Sequence, residues 1–276
     1  MFTPFGTLYS KVGYLGCGYP FPDGLRGCTV LDLGCGAGRD VYVLSQMVGP
    51  TGHVKGIDMT PEQLETAEST KDWHMEKFGF STSNVSFQQG FIEDLSLIQD
   101  GSVDVVISNC VVNLSPKKDL VMNEIFRVLK TGGEFYFSDV FVDRRLPDDI
   151  AFDPLLHSEC LGGALYWKDF VALAKKTGFL DPRVLTSAPI TIRNDEIEAK
   201  VGMAKFLSIT YRLFKLDLDP NCEDYGQTIE YLGNLDSSPS LFILDTKHWF
   251  EKNRPERICA NTATMLVDTR YLSIKY

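Results

Sequence analysis

No apolar run in this 276-residue chain is long enough to cross a bilayer, so no membrane-spanning segment is expected. The opening residues, Met1-Phe2-Thr3-Pro4-Phe5, lack a basic stretch followed by an apolar core, which argues against a secretory signal. A basic excess is missing too: 27 Lys and Arg stand against 37 Asp and Glu, a net charge of −10. That balance argues against a general nucleic-acid or acidic-membrane surface. The seven cysteines are an odd number in a chain too large to need staples. None is spaced Cys-x-x-Cys, so neither a disulfide framework nor structural zinc is expected. They read as thiols of a cytoplasmic protein. Histidine is scarce, and no His/Asp pair stands out as a general base; His157, three residues before Cys160, reads as a helix-surface side chain.

What is present is a strand, a glycine turn and a second strand ending in a carboxylate. Val30-Leu31-Asp32-Leu33-Gly34-Cys35-Gly36-Ala37-Gly38-Arg39-Asp40 is followed by His53-Val54-Lys55-Gly56-Ile57-Asp58. The dinucleotide fingerprint would want a third glycine or alanine where Arg39 stands, because pyrophosphate needs an open approach to a helix N-terminus. An adenosyl amino acid has no phosphate to place, and Asp58 would accept from two ribose hydroxyls. Gly90-Phe91-Ile92-Glu93-Asp94 follows an apolar strand at 85–87 and puts an acidic residue beside an expected adenine pocket. Val103-Asp104-Val105-Val106-Ile107-Ser108-Asn109 reads as a fourth buried strand, and Leu129-Lys130-Thr131-Gly132-Gly133-Glu134-Phe135 as a helix end opening a fifth.

This alternation predicts an α/β fold with a doubly wound, mostly parallel sheet covered on both faces. Thr60-Pro61-Glu62-Gln63 predicts a capped helix running to about residue 77, and Pro116-Lys117-Lys118-Asp119 opens another. Residues 144–160 and 167–176 read as helices over the carboxyl edge, and 182–186 and 190–193 as closing antiparallel strands. An aromatic-rich segment follows, giving a donor-binding domain over 1–195 and a small α+β substrate-side or lid appendage over 196–276.

Ligands of open parallel sheets bind outside the carboxyl ends of the strands. The candidate cofactor-binding residues are therefore Gly34, Cys35, Gly36, Gly38, Asp58, Met59, Ile92, Glu93 and Asn109, with Asn109 facing the methyl donor. The segments and their order resemble class I S-adenosylmethionine-dependent methyltransferases. Methyl transfer needs alignment of nucleophile, methyl carbon and sulfonium more than it needs acid–base help.

A narrower resemblance, to the arsenite methyltransferases, rests on several further segments. Tyr14-Leu15-Gly16-Cys17-Gly18, Cys28 ahead of the first strand, and Ser108-Asn109-Cys110-Val111-Val112-Asn113-Leu114 are similar to that family. So is Glu159-Cys160-Leu161-Gly162-Gly163-Ala164-Leu165-Tyr166-Trp167, the most specific match. The resemblance implies Tyr14 at the donor and trivalent arsenic, as substrate, held by cysteine thiolates. Of the family's four thiols, one is matched by Cys28 and one by Cys160; a third position holds Ala204, and no residue ahead of Tyr14 matches the remaining one. Cys17, Cys28 and Cys222 are the candidates to join Cys160. The expected catalytic residues are thus Cys160, Cys28 and Asn109, with S-adenosylmethionine as donor and a thiol reductant such as glutathione or thioredoxin. The chain is expected to act as a monomer on a small molecule, without nucleic acid or membrane. The alternatives are an organic small-molecule acceptor under an apolar lid and a catalytically silent relative that binds the donor or serves as a partner subunit.

Overall fold

A computed structural model describes residues 18–271. The parallel core strands are β1 (Thr29–Leu33), β2 (His53–Asp58), β3 (Val85–Gln89), β4 (Val103–Asn109) and β5 (Leu129–Val142), joined by the short β6 (Leu165–Tyr166). With β7 (Arg183–Pro189) and β8 (Phe206–Phe214), the described residues form an eight-stranded sheet ordered β3-β2-β1-β4-β5-β8-β7, in which β6 pairs with β5. Strands β5/β8 and β7/β8 pair antiparallel. The expected doubly wound, mostly parallel sheet is present, and the chain order reverses between β1 and β4.

Alternation along β1 explains the two-faced core. Leu31 and Leu33 point to one face and pack with Val106, Phe135, Phe137 and Phe170, whereas Val30 points to the other with Val41, Leu44 and Val54. Helix α1 (Arg39–Val48) lays Val41, Leu44 and Val48 on that second face at helical spacing. Each such side chain contributes about 1.5–3 kcal/mol by burial. Helix α4 (Lys118–Val128) covers the first face through Val121, Met122, Ile125 and Val128. Leu120 on the same helix is exposed.

Four expectations are corrected. The helix from Pro61 is broken into α2 (Pro61–Ser69) and α3 (Lys71–Phe78). The cause is the Ala67 carbonyl, which accepts from the Tyr42 hydroxyl at 2.6 Å and from the Thr70 hydroxyl at 3.1 Å instead of continuing the ladder. Residues 144–160 hold two short helices, α5 (Asp148–Ala151) and α6 (Pro154–Ser158), because Pro154 restarts the chain with Asp153 capping it. The closing strand beside β7 is β8 rather than 190–193. Since β8 lies between β5 and β7, the sheet runs past the boundary placed at 195, and the appendage follows Phe214.

That appendage has its own core of Phe214, Leu218, Tyr231, Phe242, Phe250 and Leu266. It comprises two two-stranded sheets and α9 (Ala260–Val267). The fully buried Arg212 on β8 ties it to the sheet, donating to Glu134 Oε1 at 2.6 Å, the Leu244 carbonyl at 2.9 Å and the Tyr271 hydroxyl at 2.7 Å.

Candidate active site

A cavity of about 650 Å³ opens at the carboxyl ends of β1, β2 and β3, beside the reversal of strand order. Asp58, at the end of β2, is its polar centre. Its carboxylate accepts the Gly36 N–H at 2.9 Å and the Thr60 N–H at 2.9 Å. An ionised carboxylate has about four lone-pair sites, so two remain to take a vicinal diol. Met59 and Phe91 stand 61% and 60% exposed on the cavity wall, with Ile92 buried behind them, which makes a slot for a planar ring. Glu93 lines the same slot and accepts from the Ser115 hydroxyl.

The glycines build this cavity by close approach. Gly34 has φ +71°, and an added Cβ would lie 2.4 Å from a Val111 methyl carbon. Gly38 has φ +82°, and its Cβ would meet the Phe87 ring at 2.9 Å. Left-handed backbone and lack of room both select glycine at these two positions. Cys35, expected among the donor-binding residues, serves the loop instead. Its N–H goes to the Ile57 carbonyl at 3.0 Å, and its sulfur fills the space over Gly56. Burial pushes its thiol well above the usual range. Tyr14 lies outside the described residues.

The electrostatics fit a positively charged ligand. Burial, reinforced by Asp40 and Asp58, raises the Asp32 carboxyl well above its ordinary value. Burial raises Asp40 as well, despite the Arg39 guanidinium 3.7 Å from its Oδ1. Three crowded carboxylates are relieved by a cation, and an adenosyl amino acid with a sulfonium and an ammonium carries two. Slot, diol acceptor and charge thus match S-adenosylmethionine. Asn109 ends β4 and donates to the Gly18 carbonyl at 2.9 Å. It therefore fixes the segment beginning at Gly18 against the end of β4.

Cys160 sits on the same edge, its sulfur 3.7 Å from the Cys110 carbonyl, one residue past Asn109. The Gly-Gly after it explains the placement: a Cβ on Gly163 would lie 2.1 Å from the Asn113 carbonyl, so only glycine lets this loop close onto the turn after β4. Burial, then the Asp139 and Glu159 charges, pushes the Cys160 thiol up to about 11. Asp139 is buried and raised to about 7, mainly by burial, although it accepts from the Asn113 backbone and amide at 3.0 and 2.7 Å. Lys118 completes the cluster by donating to the Asn113 carbonyl at 2.9 Å. Asn113 and Lys118 escaped sequence reasoning; the available signal was Asp139, an acid inside the otherwise apolar second half of β5. Cys110 is disulfide-bonded in this structure.

Cys28 is a correction. It precedes the first residue of β1, whereas the cavity and Cys160 lie beyond the last, so roughly 20 Å of extended strand separates Cys28 from Gly34. It is buried, bonded weakly to the Gly24 carbonyl, and its thiol is raised by burial. Cys28 and Cys160 are not brought together. Ala204 packs against the same apolar cluster as Cys160, and Cys17 lies outside the described residues.

Sheet topology, nucleoside-shaped cavity and acidic β2 terminus define a class I S-adenosylmethionine-dependent methyltransferase. A family model described as a methyltransferase domain matches residues 25–178. The chain is 54% identical over 261 residues to the arsenite methyltransferase of Aquipseudomonas alcaligenes, covering 94% of this chain and 75% of that protein. It is 46% identical over 263 residues to that of Homo sapiens, covering 94% of this chain and 69% of that protein. The crystal structure of an arsenic(III) S-adenosylmethionine methyltransferase from Chlamydomonas reinhardtii matches with a TM-score of 0.91 and 46% identity, covering 99% of this chain and 93% of that one. The chain belongs to the arsenite methyltransferase family and is an S-adenosylmethionine-dependent methyltransferase.

Replacing Asp58 with alanine is expected to weaken S-adenosylmethionine binding by about 1.5–3 kcal/mol, the range for hydrogen bonds to a charged group. Calorimetry on Asp58→Ala checks it, and unchanged affinity would move the donor elsewhere.

Proposed function

We propose that, in its fully reduced form, this enzyme methylates trivalent arsenic held by Cys160 together with a second sulfur from Cys17. The observation that carries the reading is the position of Cys160 on the donor edge, one loop away from Asn109 and the glycine turn. Bound in the cavity, S-adenosylmethionine supplies an electrophilic methyl on a sulfonium. Asp58, with Met59, Ile92 and Glu93 around the ring slot, holds the adenosyl part, and Asp32 and Asp40 face its positive charge.

Trivalent arsenic is soft and pyramidal, so thiolates bind it while leaving its lone pair exposed. An arsenic–hydroxide bond breaks as the Cys160 sulfur binds, and the thiol proton leaves with the hydroxide as water. The high pKa of Cys160 keeps that proton in place until arsenic arrives. The exposed lone pair then attacks the methyl carbon in line. That step raises arsenic by two oxidation units, so a thiol reductant such as glutathione or thioredoxin returns the product to the trivalent state. The activity belongs in a reducing, cytoplasmic setting and needs only a monomer. No helix among the described residues is long and apolar enough to cross a membrane.

The second sulfur is assigned by chain path. Cys17 is joined to Gly18, and Gly18 is tied to Asn109 at the donor edge, with its Cα packed on Ser138. Cys28 is on the opposite edge. Mass spectrometry of methylated arsenicals therefore separates the two. Cys28→Ser should stay within about twofold of the parent, whereas Cys17→Ser should lose about tenfold or more, as removal of a soft ligand requires. Ala204→Cys should tighten arsenic binding. The reverse ordering of the two serine variants would reinstate Cys28 and overturn this ligand set.

A further inference from the structure

Two cysteines that play no part in the site above meet in the appendage. Cys222 is exposed, Cys259 is half-buried, and both are free thiols. They lie 37 positions apart in sequence (259 − 222), yet the Ala260 N–H donates to the Glu223 carbonyl at 2.8 Å, holding their chain segments together. The two cysteines flank that bond, Cys222 next to Glu223 and Cys259 next to Ala260. The surroundings favour a thiolate. Arg183 Nη2 lies 4.0 Å from the Cys259 sulfur, and the Thr262 hydroxyl lies 3.3 Å from it. Arg183 is itself fixed by Asp181 at 2.7 Å and Asp245 at 2.9 Å. Burial opposes ionisation of Cys259, but the neighbouring Cys222 thiol, the Thr262 hydroxyl and the Arg183 charge bring it down to about 7. The pair is remote from the donor cavity. Arg183, which contacts Cys259, lies on β7, three strands across the sheet from β4, whose carboxyl end Cys160 contacts.

We propose that Cys222 and Cys259 form a second, non-catalytic binding site for a trivalent arsenical bearing one carbon substituent. Such a compound has two exchangeable oxygens on arsenic and takes two sulfurs, the number this pair offers. Two arsenic–oxygen bonds break and two arsenic–sulfur bonds form; the two thiol protons leave with the two hydroxides as two waters. No electron changes hands, so no oxidant or reductant is needed. The choice of arsenic over another thiophilic ligand rests on the reaction proposed above, because a singly methylated trivalent arsenical is what that reaction and its reductant would deliver.

The test is stoichiometric and independent of turnover. The fully reduced full-length chain is titrated with phenylarsine oxide under native conditions, and bound arsenic is counted by intact mass while free thiols are counted with a chromogenic disulfide. Cys222→Ser and Cys259→Ser should each bind one arsenic fewer than the parent and protect two thiols fewer, and the double variant should lose no more than either single one. Methylation by Cys222→Ser should match the parent, while Cys160→Ser should lose methylation and keep the arsenic at this pair. Because Cys222 is exposed, its serine variant should fold normally, and circular dichroism checks that. Unchanged arsenic stoichiometry in Cys222→Ser would overturn the proposal, as would a reduced pair that closes to a disulfide without taking up arsenic. Loss of methylation in Cys222→Ser would instead overturn its non-catalytic character. A parent that binds arsenic here yet never methylates it would overturn the proposed reaction and leave this site standing.

Discussion

Replacing Cys160 with serine is expected to reduce arsenic methylation by roughly 10³-fold or more while leaving S-adenosylmethionine affinity unchanged. A serine hydroxyl is hard and stays protonated at neutral pH, so it cannot substitute for a soft thiolate. Neither of the other two positions considered for the arsenic site supplies a sulfur in its place. Ala204 packs on the same apolar cluster, Met203 beside it in sequence is 83% exposed, and Cys28 is at the other edge of the sheet. Donor binding should survive because Asp58, Met59 and Glu93 hang on β2 and β3, separate from the loop that carries Cys160. Mass spectrometry of products and calorimetry of the donor test the two halves. A companion measurement probes the raised thiol. Burial, Asp139 and Glu159 hold the Cys160 thiol near 11, so its thiolate fraction should rise about tenfold per pH unit across pH 6 to 8. Alkylation of Cys160 by iodoacetamide should be slow at pH 7 and follow that slope. A Cys160→Ser enzyme that still methylates arsenic would remove the residue from the acceptor site.

The donor half of the site was legible because its signals are local. Gly34 and Gly38 are glycines for steric reasons that act within one strand–turn–helix unit, and Asp58 is reached by counting to the end of the next strand. The Cys160 loop was legible through Gly162-Gly163, whose lack of side chains is required by backbone atoms 2.1–3.0 Å away. Cys28 misled because family matching supplied a thiol before the first strand without its direction. In a parallel sheet the residue before a strand and the residue after it lie on opposite edges. Cys35 misled differently: a cofactor loop presents some of its atoms inward, and here the sulfur and N–H both serve the sheet. The boundary at 195 failed because β8 returns to the sheet after α8 (Asp195–Val201), a long-range pairing that no local pattern announces. The Cys222–Cys259 pair, likewise, is joined across the appendage by contacts between segments that look unrelated in sequence.

Removing the carboxylate of Glu134 is expected to cost about 3–5 kcal/mol of stability, the range for breaking one side of a buried ion pair. Glu134 is wholly buried on β5 and faces two guanidinium groups, Arg212 and Arg270. Arg212 is enclosed by the rings of Tyr136, Phe214 and Tyr271 at 5.3–5.5 Å, and Arg270 lies 4.4 Å from the Tyr271 ring. With alanine at 134, the cation–π contacts persist, but two buried cations lose the counter-charge they share. The sign with pH follows from the same geometry. Burial alone would raise the Glu134 carboxyl, yet the charges of Arg212 and Arg270 outweigh it and hold the group below the usual carboxylate range. A depressed acid stabilises the fold fully above its unfolded value, about 4.3, and that contribution fades as pH falls through the folded value. Urea unfolding at pH 7 should therefore separate parent and Glu134→Ala by the full amount, and the gap should narrow as the pH falls below about 4. Because Arg212 also holds the Leu244 carbonyl and the Tyr271 hydroxyl, the appendage should lose amide-exchange protection before the parallel core does. Equal stability of the two proteins at pH 7 would mean that apolar packing alone, through Phe214, Phe242 and Tyr271, fastens the appendage to the sheet.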